Sequence, residues 1–353
     1  MIVGSFKIRG KRMIEINNVR INYGDFIALE DINFTVNKGE FFTLLGPSGS
    51  GKSTMLRAIA GFIQPSQGTI SMEGKIINAT PVEERGIGMV FQSYALFPSM
   101  TVYDNIAFGL KVEKADKQYI DERVHQLAQM VDLNEEQLSK NVSALSGGQQ
   151  QRVAITRALA KKPEILAMDE PLSNLDARLR KALRVELKNI QKELGVTTLY
   201  VTHDQEEALI LSNRIAVFSE GRLEQVGTPK EIYDYPETEF VCTFIGDSNK
   251  LSKEMIHAVS PNLIAEEGSR YYIRPENIKI RSYSDDRTED EIVCQFHNED
   301  YYGTHMIYHL LYPDTATKIK MMAFTNKEGQ YQQGEKVLMS IDPNKIHVFK
   351  GGE

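Results

Sequence analysis

Residues 46–54 read Gly-Pro-Ser-Gly-Ser-Gly-Lys-Ser-Thr, the spacing of G-x-x-x-x-G-K-[ST]. Such a run can hold a triphosphate. Its glycines let the backbone wrap close enough for successive N–H groups to point inward, and the start of a helix adds the positive end of its dipole. Gly46, Pro47, Ser48, Gly49, Ser50, Gly51, Lys52, Ser53 and Thr54 are therefore the candidate phosphate-binding residues. Lys52 is expected to bridge the β- and γ-phosphates of ATP, and Ser53 to ligate magnesium. A second acidic site must complete the metal's shell. The apolar run Ile165-Leu-Ala-Met ends in Asp169 and Glu170. On a strand buried beside the phosphate-loop strand, Asp169 would face magnesium, and Glu170 would stand near an attacking water as general base or as its orienter.

Asp169 follows Lys52 by 117 residues, more than a minimal strand-helix-strand unit needs, so a subdomain must be inserted between them. Within that stretch Leu145-Ser-Gly-Gly-Gln149 opens a helical run. Ser146, Gly147, Gly148 and Gln149 can form another anion cradle of helix N-terminal amides. The first cradle already holds the phosphates, so this one is expected to serve the γ-phosphate of a second copy of the chain.

The elements needed to position these groups are legible. Alternating or apolar runs at 13–22, 32–36, 40–45, 69–73, 87–91, 163–168, 197–201 and 214–218 read as strands. Helical spacing marks 52–61, 117–131, 147–160, 176–194 and 204–211. Strands alternating with helices predict an α/β fold with a mostly parallel sheet. Beyond about residue 236 short strand-like runs follow at close intervals, among them Tyr-Tyr-Ile-Arg-Pro-Glu-Asn-Ile-Lys-Ile and Lys-Val-Leu-Met-Ser-Ile, the pattern of a small β-barrel or sandwich. Asp285 to Glu291 reads as a solvated loop, and residues 1–12 as an extension outside the fold.

Composition narrows the function classes. A chain of 353 residues, 41% hydrophobic and 25% charged, suits two folded domains. The net charge of -7 argues against a protein built to grip a polyanion, so no nucleic-acid partner is expected. Cys242 and Cys294 lack metal-ligand spacing and are expected to be two small buried side chains. No apolar run approaches the ~18 residues of a membrane span.

With these motifs in this order, residues 13 to about 245 resemble the nucleotide-binding subunits of ABC transporters. The resemblance implies a P-loop NTPase cassette at 13–240, with a RecA-like core, an antiparallel β edge and a helical subdomain at about 93–160. A small all-β, TOBE-like domain at 241–353 would follow. It implies further that Tyr23 stacks on adenine, a contact worth roughly 1–3 kcal/mol in other nucleotide complexes. Gln92, in Val90-Phe-Gln-Ser-Tyr-Ala-Leu-Phe-Pro98, would sense magnesium and the attacking water. Leu145 to Gln149 would be the family signature, Ser173-Asn-Leu-Asp176 the loop crossing a head-to-tail dimer interface, and His203 the γ-phosphate switch.

Gly227-Thr-Pro-Lys-Glu-Ile-Tyr233, Phe244-Ile-Gly-Asp and Ile273-Arg-Pro-Glu-Asn277 resemble ATPases of bacterial solute importers, most similarly those for polyamines, ferric iron or phosphonates. That likeness implies permease subunits docked near Gln92 to Met100, a solute-binding protein acting indirectly, and a peripheral place on the cytoplasmic face of the bacterial cell membrane. Two other readings stay open. One is a non-transport cytosolic ATPase of the same superfamily acting on a macromolecular assembly. The other is an interaction module in which nucleotide binding only gates assembly.

Overall fold

Residues 12–37 alternate apolar and polar side chains, and in the computed structural model they form a long hairpin, β1 (Arg12–Tyr23) and β2 (Phe26–Asn37). Described are residues 11–259, 268–312, 317–324 and 331–350. The hairpin turns at Gly24, whose φ of 58° suits glycine, and it sets Tyr23 opposite Phe26. Most of the expected extension at 1–12 lies outside the described residues. Arg12 itself does not belong to it, because it already pairs with Asn37 in β1.

The next strand, β3 (Phe41–Leu45), is buried along its whole length, as a central parallel strand must be. It runs through the phosphate loop into α1 (Lys52–Ala60). Then β4 (Gln67–Met72) and β5 (Lys75–Ile76) join the hairpin in an antiparallel sheet of order β2-β1-β4-β5. The apolar faces of this sheet and of the parallel one meet in a core where Phe34 stacks on Phe42 at 5.2 Å between ring centroids.

After β6 (Ile87–Val90) come four helices, α2 (Val102–Val112), α3 (Lys117–Met130), α4 (Glu135–Ser139) and α5 (Gly147–Leu159). The chain returns through β7 (Ile165–Asp169), α6 (Ala177–Leu194), β8 (Thr197–Thr202), α7 (Gln205–Leu211), β9 (Arg214–Ser219) and β10 (Arg222–Gly227). The second sheet has the order β10-β9-β3-β8-β7-β6, parallel except for β10. The expectation that β7 lies directly beside β3 is corrected here, since β8 separates them. The acidic strand end still reaches the phosphate loop because α1 packs across both β8 and β7.

Helices α2 and α4 escaped the sequence reading. Helix α2 contains Gly109 and aromatic residues that blur its period, but its start is marked, since Thr101 Oγ1 accepts from the Asp104 amide at 3.0 Å. Val102, Ile106 and Leu110 then fall on one buried face against α3 and α5.

The chain divides into two compact units between Ile232 and Tyr233, within the short helix α8 (Pro229–Asp234). In the second unit α9 (Glu239–Phe244) and α10 (Lys253–Val259) accompany antiparallel sheets of short strands. One sheet joins β11 (Asn249–Leu251), β12 (Arg270–Ile273) and β18 (His347–Phe349). The other, in the order β13-β17-β14-β15-β16, joins Ile278–Ser282, Lys336–Ile341, Ile292–Tyr301, His305–Leu311 and Lys318–Phe324. Cys242 and Cys294 are both buried free thiols of this unit.

Candidate functional site

The turn between β3 and α1 can be made only by a chain with little side chain. A Cβ on Gly46 would lie 2.2 Å from the Phe218 carbonyl oxygen, and one on Gly51 would lie 2.4 Å from Leu29 Cδ2. Gly51 also holds φ at +98°, in the left-handed region open to glycine. It precedes α1 with no side-chain cap, so the loop and the first turn of the helix leave amides without a side-chain acceptor. Lys52 is buried inside the loop, where its Nζ donates to Pro47 O at 2.7 Å and to Ser50 Oγ at 3.4 Å. Burial pulls its ammonium below the usual lysine range, opposed by the charges of Glu170 and Asp169.

At the end of β7 the Ser53 hydroxyl donates to Asp169 Oδ1 at 2.6 Å, while Arg57, one turn further along α1, approaches Oδ2 at 3.4 Å. Among the described residues no three His, Cys, Asp or Glu side chains converge in a cluster able to hold a metal alone. The oxygen pair of Ser53 and Asp169 nevertheless fits magnesium, which keeps several waters and takes one or two protein oxygens beside substrate phosphates.

Glu170 follows in a left-handed conformation, with φ of 47°. For a non-glycine residue this costs roughly 1–2 kcal/mol. It is over-determined there, because its amide donates to Val201 O at 3.1 Å and its carbonyl accepts from Ser173 Oγ at 2.9 Å. Glu170 shares a cleft with the phosphate loop. Tyr23, Phe26, Ala28, Ser48, Gly49, Gly51, Lys52, Ser53, Thr54 and Glu170 line one cleft of about 240 Å³. Tyr23 and Phe26 line it while staying 51% and 67% exposed, so that a planar group can reach them.

Gln92 and His203 form a rim on the Glu170 side. His203 Nδ1 lies 3.1 Å from Glu170 Oε2. Gln92 Nε2 donates to Ser173 Oγ at 3.3 Å, and Asn174 Nδ2 donates back to Gln92 O at 3.1 Å. Gln92 and His203 therefore both reach Glu170, one through Ser173 and one directly, although neither lines the cleft. Nor do Asp176 and residues 146–149. Asp176 caps α6, its Oδ1 accepting from the Leu179 amide at 3.0 Å. Ser146 caps α5, and Gln149 returns its side chain to the Ser146 amide at 3.0 Å. Gly147 is exposed, whereas Gly148 is buried and a Cβ there would meet Leu179 Cδ2 at 2.8 Å.

Phe26 and Arg57 were missed in the sequence. Each had a signal. Phe26 is a second aromatic across the Gly24-Asp25 turn from Tyr23, and Arg57 stands four residues after Ser53, on the same face of a helix.

A parallel core with an antiparallel edge sheet, a helical insertion and this phosphate cleft define an ATP-binding cassette, and the chain belongs to the ABC transporter family. That family matches residues 29–173, and the TOBE domain family matches residues 271–349. Among its relatives is a protein of Clostridium novyi named spermidine/putrescine import ATP-binding protein PotA, 40% identical over 352 residues, covering 96% of this chain and 98% of the relative. The protein of the same name from Bacteroides thetaiotaomicron is 53% identical over 247 residues, covering 70% of this chain. This chain spans about half, 53%, of that relative's length. Of solved structures, cbiO1 of Clostridium perfringens, part of the ABC transporter complex cbiONQ, aligns with a TM-score of 0.59 at 33% identity, over 63% of this chain and 90% of that one. A dimeric ATP-binding cassette, MJ0796, in a post-hydrolysis state with ADP and Pi aligns with a TM-score of 0.55 at 33% identity, over 62% and 99%. Among the described residues no helix is long and apolar enough to cross a membrane.

Proposed function

We propose that this chain binds ATP with magnesium in the cleft between Tyr23 and Glu170, hydrolyses it in a head-to-tail dimer, and energises import of a small solute. The observation that carries this is the meeting of Ser53, Asp169, Lys52 and Glu170 from two distant parts of the sequence around one cleft. Tyr23, with Phe26, offers its ring to the base. The amides of residues 46–54 and the Lys52 ammonium take the phosphates, and Ser53 and Asp169, with Gln92 from the rim, take the metal. Magnesium, when bound, would neutralise charge shared between the β- and γ-phosphate oxygens.

Glu170 would accept a proton from the attacking water or orient it, and His203, hydrogen-bonded to Glu170, would meet the γ-phosphate. Ser146, Gly147, Gly148 and Gln149 of a second copy would close over that phosphate, with Asp176 at the interface, so that closure requires ATP. Permease subunits docking near Gln92 to Met100 would convert closure and reopening into transport at the cytoplasmic face of the membrane, with a solute-binding protein delivering the cargo. Polyamine is the favoured solute, since the Clostridium novyi relative that carries that name aligns along nearly its entire length.

The deciding variant is Glu170→Gln. It should retain MgATP with affinity within a few-fold while turnover falls about 10³-fold, in the range for loss of a general base, and a closed dimer should accumulate in light scattering. Undiminished hydrolysis would remove Glu170 from the reaction. In membranes with the reconstituted permease, spermidine-loaded binding protein should raise turnover. Stimulation by a ferric or phosphonate carrier instead would reassign the solute.

A further inference from the structure

The loop that carries His203 is held by α6, the helix that begins where the Ser173–Asp176 loop ends. Arg180, one turn into α6, donates from Nη2 to Leu175 O at 3.0 Å and from Nη1 to Asp204 Oδ2 at 3.3 Å. Arg184, a turn later and largely buried, reaches the same Asp204 oxygen at 3.2 Å and pairs with Glu206 Oε2 at 2.8 Å. Asp204 is the residue after His203, and it is fixed on its other sides. Its amide donates to Thr202 Oγ1 at 3.0 Å, and its Oδ1 caps α7 by accepting from the Glu207 amide at 3.0 Å.

These contacts close a ring. His203 meets Glu170 at 3.1 Å, the Glu170 carbonyl accepts from Ser173 Oγ at 2.9 Å, and the chain runs from Ser173 to Leu175, whose carbonyl accepts from Arg180. Arg180 then returns the path to Asp204 and His203. The two arginines differ in one respect that decides between them. The contacts of Arg184 all go to carboxylates of residues 204–207, whereas Arg180 grips one group on each loop. A guanidinium suits this task because its planar fork presents several donors in fixed geometry, which a lysine does not.

We infer that Arg180 is a positioning residue for hydrolysis: it ties the place of His203 against Glu170 to the place of the Ser173–Asp176 loop, so that a displacement of that loop is passed to the hydrolytic pair. The inference rests on the reading of Glu170 and His203 as parts of the hydrolytic site. Small misplacements of reacting groups are costly in rate without being costly in binding, and this sets the expected signature.

The test is a double-mutant cycle on the full chain, read as steady-state MgATP turnover. Arg180→Ala should lower kcat about tenfold while KM for ATP stays within about twofold, and Arg180→Lys should recover part of the loss. Asp204→Asn should act alike, and the double variant should be no worse than the worse single one, because both substitutions break the same link. Should Arg180→Ala fail to fold, Arg180→Lys takes its place in the cycle. A kcat within about twofold of the parent, a KM that changes as much as kcat, or losses that multiply in the double variant would each overturn the inference. Lys52→Ala, run in parallel, separates the two levels. If it loses turnover while Arg180→Ala does not, only the role of Arg180 fails; if it turns over like the parent, the nucleotide reading itself fails.

Discussion

Two helices of the cassette begin at glycine-rich turns, and the chain treats their first amides in opposite ways. At α1 the preceding residue is Gly51, left-handed and without a cap, and the amides border a cleft of about 240 Å³. At α5 Ser146 and Gln149 form a reciprocal capping box, so that the helix start satisfies part of its own hydrogen-bonding need. The glycines differ as well. Gly46 and Gly51 are crowded by main chain and by a core leucine, whereas Gly148 is crowded by the tip of Leu179. The first turn opens onto a cleft that a ligand can enter. The second meets part of its own need through the capping box and does not line that cleft. The Ser146 cap is also long, at 3.4 Å from Oγ to the Gln149 amide, which leaves the hydroxyl able to turn to another partner.

The comparison can be broken at either turn. The largest effect is expected for Gly51→Ala, which combines a left-handed alanine with a Cβ 3.1 Å from Ala28 O and 2.4 Å from Leu29 Cδ2. It should cost about 2–3 kcal/mol in denaturant unfolding and abolish measurable ATP binding by calorimetry. A Gly51→Ala protein that binds ATP normally would show that the phosphate loop does not need its conformation.

Ser146→Asp should come next. Aspartate caps a helix as well as serine does, so unfolding should shift by less than about 0.5 kcal/mol. The added charge would face the phosphate of a partner copy, so ATP-driven dimerisation in light scattering should disappear, with turnover down about 100-fold. Unchanged dimerisation would remove the second turn from the nucleotide.

Gly148→Ala should cost about 1–2 kcal/mol by overpacking against Leu179. Adding Leu179→Ala should restore the fit, so a melting temperature that falls further in the double variant would mean the glycine serves something other than helix packing. Ser146→Ala is the mildest, a lost cap worth about 1 kcal/mol. If it left the melting curve unmoved, the box at α5 would carry no weight, and the two turns would differ less than their geometry indicates.

The glycine run and the acidic strand end are legible in the sequence because each is a short run whose chemistry needs adjacent residues, whereas His203 stands out only through the family resemblance. Gly46 to Thr54 announces an amide cradle by composition alone. Strand alternation at residues 13–22 and the apolar runs of β3, β7 and β8 were readable for the same local reason, since burial on one face or both leaves a period in the sequence. Helix α2 was not, because glycine and aromatics inside it hid a stripe that packing against α5 makes sense of.

Tertiary structure alone decided what is adjacent across the chain. Strand order is set by how crossovers pack on a twisted sheet, which no local pattern records, and so β8 came to lie between β3 and β7. The same packing put Arg57 on Asp169 and Arg180 between two loops that are 28 residues apart at Leu175 and His203. Residue types and their spacing determined which chemistry this protein carries. The folded sheet determined which side chains hold that chemistry in place, because those contacts depend on helices lying across neighbouring strands and not on neighbours in sequence.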